Sequence, residues 1–108
     1  MTNNKFFSTL GLARRAGKLC YGFDAVTQNL QNIELILVAS DLSARSKKSL
    51  AAVLEHRKKS FVALGITMKE LSDAIGTKPT GIIGITEKGF AALLSEEIKK
   101  MNAGGTQL

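Results

Sequence analysis

The sequence predicts an α/β protein: a three-layer α/β/α sandwich around a four-stranded mixed sheet. Three observations predict it. Helix-like and strand-like stretches alternate along the whole chain, beginning and ending on a helix, which is the pattern of a sheet covered on both faces. Two stretches, Ile33–Ala39 and Gly81–Ile85, are almost unbroken apolar runs. A half-exposed strand would alternate, so these read as central strands buried on both sides. Glycines and capping residues also punctuate the chain at the intervals that short α/β elements require.

Each element has its own reason. Residues 4–16 place Phe6, Phe7, Leu10 and Ala13 at helical spacing, with Asn3 or Asn4 as cap and Gly17 as terminator. Leu19–Gly22 is a short strand. Asp24–Gln31 is a second helix with Ala25, Val26 and Leu30 inward. Ser43 caps a long third helix that runs to about Lys58, with Leu50, Val53 and Leu54 inward and Arg45, Lys47, Lys48 and Arg57 outward. Phe61–Leu64 is another short strand, and the two short strands fall at the sheet edges. Thr67-Met68-Lys69-Glu70 has the spacing of a capping box and opens a fourth helix that stops at Gly76. Thr86-Glu87 caps the last helix, with Phe90, Leu93, Leu94 and Ile98 inward. The pattern leaves the strand order open. One domain is expected over residues 1–101, followed by a disordered polar tail over residues 102–108 that contains Gly104 and Gly105.

A chain of 108 residues suits one core without help from metals or disulfides. Lys and Arg number 15 against 9 Asp and Glu, a net +6. All of that excess lies in residues 1–60, which hold ten basic and four acidic residues, whereas residues 61–108 hold five of each. A lopsided basic surface attracts polyanions, of which nucleic acid is the commonest.

Several other classes find no support. The single cysteine, Cys20, forms no internal disulfide and sits in a strand-like context, where a buried thiol is expected rather than a nucleophile. Nothing is apolar for long enough to span a membrane. The opening stretch faintly resembles a signal peptide, but Ser8, Thr9 and Gly11 interrupt it and Arg14-Arg15 closes it, so a cytoplasmic protein is expected. Gly11 to Lys18 has five residues between its glycines, one more than a P-loop, and it follows a helix instead of a strand. Gly81 and Gly84 lie inside a strand and fail as a dinucleotide fingerprint. His56 has no cysteine at ligand spacing. Asp24, Asp41 and Asp73 are too scattered for acid–base work, and Asp41 is expected to help cap the third helix. The expectation is a non-catalytic monomer without cofactor or metal.

Binding chemistry remains. Arg14, Arg15 and Lys18 cluster after the first helix. Gly22 precedes the second helix, whose free N–H groups suit a phosphate that can approach closely over a glycine. Ile75-Gly76-Thr77-Lys78-Pro79-Thr80 offers an apolar side chain, a flexible point and a cation, which suits an unstacked base with its phosphate nearby.

Several short motifs carry a family resemblance: Leu10-Gly-Leu-Ala-Arg-Arg-Ala-Gly-Lys18, Gly22 opening a helix, Val38-Ala-Ser-Asp41, Ser46-Lys-Lys48, Leu71-Ser-Asp-Ala-Ile-Gly76 and Ile85-Thr-Glu-Lys-Gly-Phe90. In this order and spacing, over about Phe6 to Leu94, the chain resembles the kink-turn RNA-binding superfamily of ribosomal protein L-seven-Ae, in its bacterial YlxQ-like branch. The resemblance implies an α/β/α fold, recognition of bent, structured RNA, and as partners ribosomal or other structured RNA together with the ribosome or its assembly proteins. In that family a Gly-x-Asn-Glu segment and a Lys one turn later meet the RNA, and the loop before the last strand packs on an extruded base. Gly22 matches the glycine, while Asp24, Ala25 and Gln28 stand where Asn, Glu and Lys are usual. An ionised Asp offers only acceptors, and Gln28 keeps hydrogen bonding without charge. The resulting RNA-binding set is Arg14, Arg15, Lys18, Gly22, Phe23, Asp24, Gln28, Asp41, Ile75, Gly76, Thr77 and Lys78. Asp24 and Ala25 also favour a second reading, a protein-interaction module of the same fold that has lost specific RNA binding.

Overall fold

The computed structural model describes residues 4–106. The elements follow in the order α1 (Asn4–Arg15), β1 (Leu19–Tyr21), α2 (Phe23–Gln28), a 3-10 turn (Leu30–Asn32), β2 (Leu35–Val38), α3 (Ala44–His56), β3 (Val62–Ala63), α4 (Met68–Ile75), β4 (Ile82–Ile85) and α5 (Lys88–Thr106). The sheet order is β1-β4-β2-β3. β4 runs antiparallel to both β1 and β2, and β2 runs parallel to β3. The two apolar runs are therefore the two central strands, the short strands are the edges, and the sheet is mixed.

Alternate residues of the central strands feed two cores, as the period of two in a strand demands. Leu37, Ile83 and Ile85 pack with Phe6 and Leu10 of α1, Leu71 and Ile75 of α4, and Leu94 and Ile98 of α5. On the opposite face Ile36, Val38 and Ile82 pack with Val26 and Leu30 on one side and Leu50 and Leu54 of α3 on the other. The result is the three-layer α/β/α sandwich. Gly84 is small for a reason: a Cβ there would lie 2.7 Å from Ile33 Cδ1, which fills the space above it.

Three boundaries differ from expectation. The second helix ends at Gln28 and passes into a 3-10 turn, because the Asn29 side chain donates to the Ala25 carbonyl and the backbone leaves helical geometry there. α5 continues through Asn102 to Thr106, where the sequence predicts a disordered tail. Helical hydrogen bonds propagate one residue at a time from a packed turn, so two glycines weaken the helix without ending it at once. Residues 107 and 108 of that tail lie outside the described residues, as does the Asn3 cap. Asp41 does not cap α3. Ser43 does so, accepting from the Ser46 N–H. The Asp41 carboxylate instead accepts from the Met68 N–H at 2.8 Å, at the start of α4, tying the exit of β2 to a different helix.

Candidate nucleic-acid interface

The sheet has two ends, and one collects most of the expected site. β1 ends beside the start of β4, with Gly22 N–H donating to the Ile82 carbonyl at 2.9 Å. β2 ends on the other side of β4, with Ala39 N–H donating to the Gly81 carbonyl, also at 2.9 Å. Four connections meet at this end: Gly22 into α2, residues 39–43 into α3, residues 64–67 into α4, and the loop over residues 76–80 into β4. Antiparallel pairing through one shared strand is what brings these distant segments together.

At the first connection, Gly22 has φ 95°, a conformation that only glycine adopts freely, and it turns the chain directly from strand to helix. The exposed side chains here are Tyr21, Phe23, Asp24 and Gln28. Tyr21 and Phe23 are large apolar groups left open, 38% and 36% exposed. Asp24 and Gln28 are four residues apart and thus share one side of the helix. The Arg14 guanidinium lies 5.1 Å from the centre of the Tyr21 ring, a cation–π arrangement that joins α1 to this end.

The loop into β4 is built by α4. Thr67 and Glu70 form the expected reciprocal capping box. Gly76 ends the helix in the left-handed region at φ 70°, and both Gly76 and Thr77 donate to the Ser72 carbonyl. The Ser72 hydroxyl, buried, accepts from the Thr80 N–H at 2.8 Å and donates to the Met68 carbonyl at 2.6 Å. These bonds close the loop on its own helix and leave Lys78 exposed at its tip. Gly81 follows where Leu42 and Met68 press close: a Cβ would meet Leu42 Cδ1 at 2.9 Å.

Three members of the expected set are placed differently. Ile75 belongs to the core with 5% exposure, so its side chain is not offered to a base. It lies on the inner face of α4, where a residue one turn after Leu71 must point inward. Asp41 spends a carboxylate oxygen on the start of α4. Lys18 sits at the far end of β1, where its carbonyl accepts from Thr86 N–H. Three extended residues lie between it and Gly22, so four steps along the strand separate them by roughly 13 Å. Arg15 is exposed on the last turn of α1, and Thr77 is half-buried with its hydroxyl donating to the Lys78 carbonyl.

Two features of this end lie outside the expected RNA-binding set. Tyr21 reads as part of a strand, although an aromatic at a strand end followed by glycine is placed to face solvent. The start of α3 carries Arg45, Lys47 and Lys48 within its first turn and a half. It follows β2 directly at this end. Among the described residues no group of three metal-ligating side chains occurs, and no helix is long and apolar enough to cross a membrane. Cys20 is half-buried beside Gly84, and burial pushes its thiol pKa up.

This architecture is shared with known proteins. No protein-family model matches the chain. It is 31% identical over 97 residues to the RNA-binding protein YlxQ of Enterococcus faecium, covering 88% of this chain and 92% of the relative. The RNA-binding protein YlxQ of Bacillus subtilis (strain 168) is 28% identical over 93 residues, covering 84% and 92%. A structure of a Bacillus halodurans C protein of unknown function superimposes with a TM-score of 0.78 at 30% identity, over 88% of this chain and 97% of that one. A Giardia lamblia 15.5kD RNA binding protein has the same fold, with a TM-score of 0.67 at 16% identity over 94% and 88%. The protein thus has the α/β/α sandwich fold that these solved structures share. Within that class, the chain belongs to the YlxQ family.

Proposed function

We propose that this protein is a non-catalytic, cytoplasmic, ribosome-associated RNA-binding protein that recognises bent, structured RNA through the sheet end formed by Gly22, Ala39 and Gly81. The observation that carries the reading is the meeting of Tyr21, Gly22 and Phe23 with the Gly76–Lys78 loop and the start of α3 at that end. Phosphates find Lys78, Arg45, Lys47 and Lys48 there, and splayed bases find two exposed aromatic rings. The YlxQ relatives, which are named RNA-binding proteins, support the same reading. Gln28 and Asp24 would contact base edges, with Asp24 accepting from exocyclic amines.

Titration of a labelled kink-turn duplex and a straight duplex of equal length tests this. Affinity should fall linearly with log salt, with a slope of about −0.7 to −0.9 per phosphate contacted. The bent RNA should bind at least about tenfold more tightly. No binding at low salt overturns the RNA reading and favours the protein-interaction module. Equal binding of the two duplexes overturns only the preference for a bend.

A further inference from the structure

Outside the sheet end lies a second feature with the chemistry of a ligand site. α1 crosses the last turn of α4 at close range, because Gly11 meets the Ala74 carbonyl oxygen where a Cβ would be 3.3 Å from it. Beside the crossing is an open groove of about 530 Å³. Its apolar wall includes Phe7, Leu12 and Ala74, and Leu12 is 50% exposed. Arg14, Arg15 and Asp73 stand on its rim.

The electrostatics of this rim are one-sided. Asp73 is the rim carboxylate, and it already holds the Lys69 ammonium at 3.0 Å. Arg14 and Arg15 make no salt bridge among the described residues. Arg14 is further constrained by its position over the Tyr21 ring. Its Nη1 is sealed from solvent and has no hydrogen-bond acceptor. That nitrogen is out of a ligand's reach, but the rest of the guanidinium is neither sealed nor bonded, and there an anionic oxygen can be met. An open leucine next to two guanidinium groups without a carboxylate partner matches a ligand with a flat apolar part and a phosphate.

We propose that the α1–α4 groove holds one nucleotide of a single strand that runs off the structured RNA bound at the sheet end. The base packs on Leu12 and the backbone phosphate lies on Arg14 and Arg15. This rests on the RNA reading above. Continuity favours RNA over an acidic peptide: Arg14 borders the groove and, through Tyr21, also borders Gly22, so one strand passes from one surface to the other without a gap.

Two RNAs test the proposal, sharing one structured element, the first blunt and the second carrying a single-stranded extension of about five nucleotides. The full chain should bind the extended RNA about fivefold or more tightly, the effect of one stacked base. Leu12→Asp should erase that difference and leave the affinity for blunt RNA within about twofold. Leu12 is exposed, so the variant is expected to fold, and Arg14→Gln gives a second route to the same loss. Equal affinity of the unaltered protein for both RNAs overturns the groove, as does an undiminished advantage in both variants. If neither RNA binds, the function proposed above fails, and the groove is then read alone by NMR with a short oligouridylate. Shifts confined to the amides of Gly11, Leu12 and Ala74 sustain it. Absence of shifts there, or their appearance only with an acidic apolar peptide, overturns it.

Discussion

The two ends of the sheet share the same strands yet differ in what they present. Both are basic. Arg45, Lys47, Lys48 and Lys78 gather at the end marked by Gly22, while Lys18, Arg57, Lys58 and Lys59 gather at the end marked by Thr86. At the Thr86 end the cations are partly spent on the fold: Lys59 Nζ donates to the Ile33 carbonyl at 2.9 Å. Glu34 and Glu87 stand there as well, and the neighbouring apolar side chains Leu19, Leu35 and Phe90 are half-buried against the core. The Gly22 end adds two exposed aromatic rings, a positive-φ glycine at a strand-to-helix turn and a loop closed on Ser72. Charge attracts RNA to both ends, and shape and stacking surface distinguish one of them.

The sharpest way to break that comparison is to make the same charge change at each end. Lys48→Glu with Lys78→Glu alters the Gly22 end by four charges, and Arg57→Glu with Lys58→Glu alters the Thr86 end equally. All four side chains are exposed, so neither pair should unfold the protein. The ends are roughly 13 Å apart along the strands, beyond the Debye length of about 8 Å at physiological salt. The first pair should therefore weaken RNA binding by about 100-fold and flatten the salt slope by about 0.7 to 0.9 per lost contact. The second should cost no more than about threefold. Fluorescence anisotropy at two salt concentrations measures both, and equal losses would mean that the protein's overall field binds RNA and the Gly22 end does not.

The glycines sharpen the comparison further. Gly17 ends α1 near the Thr86 end and Gly76 ends α4 at the Gly22 end, both at φ 70°. A Cβ added at either site would have no atom within 4 Å, so alanine meets no clash there and suffers only the strain of the left-handed backbone. That cost is about 1–2 kcal/mol. Gly17→Ala and Gly76→Ala should each lower the melting temperature, by about 4–8 °C per kcal/mol in a domain of this size. RNA affinity should fall for Gly76→Ala alone, since only that substitution lies in the loop leading to Lys78.

Much of this was legible in the sequence. The central strands, the helix faces, the Thr67–Glu70 capping box and the glycine stops are written locally, in apolar periodicity and in residues whose chemistry suits one position. The three-layer fold follows from their alternation, and the family resemblance led to the same architecture. What was not legible depends on long-range pairing. Lys18 and Gly22 are close in sequence, but an intervening extended strand sends them to opposite ends. Ile75 borders an exposed loop and yet completes the inner face of α4. Asp41 lies next to α3 and accepts from the first N–H of α4, because the exit of β2 and the start of α4 meet only in the folded chain. Tyr21 was hidden for the converse reason: an edge strand near its end exposes a residue that the same pattern would bury in a central strand.

The smallest expected effect lies between the two ends, at Cys20. Its side chain sits mid-strand against Gly84, half-buried, and burial raises its thiol pKa above the ordinary 9.0. The folded state thus holds the thiol proton more tightly than the unfolded chain does. The resulting stabilisation is fully present below the unfolded-state pKa and is lost as pH rises through the folded-state value. Between neutral pH and about pH 8 melting should be insensitive to this group, and above about pH 9 stability should decline. Cys20→Ala should remove this group's share of the alkaline decline. It should leave RNA affinity unchanged at neutral pH, because Cys20 faces the core beneath α2 and not the surface at either end. A change in RNA affinity on this substitution would show that the Gly22 end depends on packing beneath β1, and would tie the recognition surface to the core that supports it.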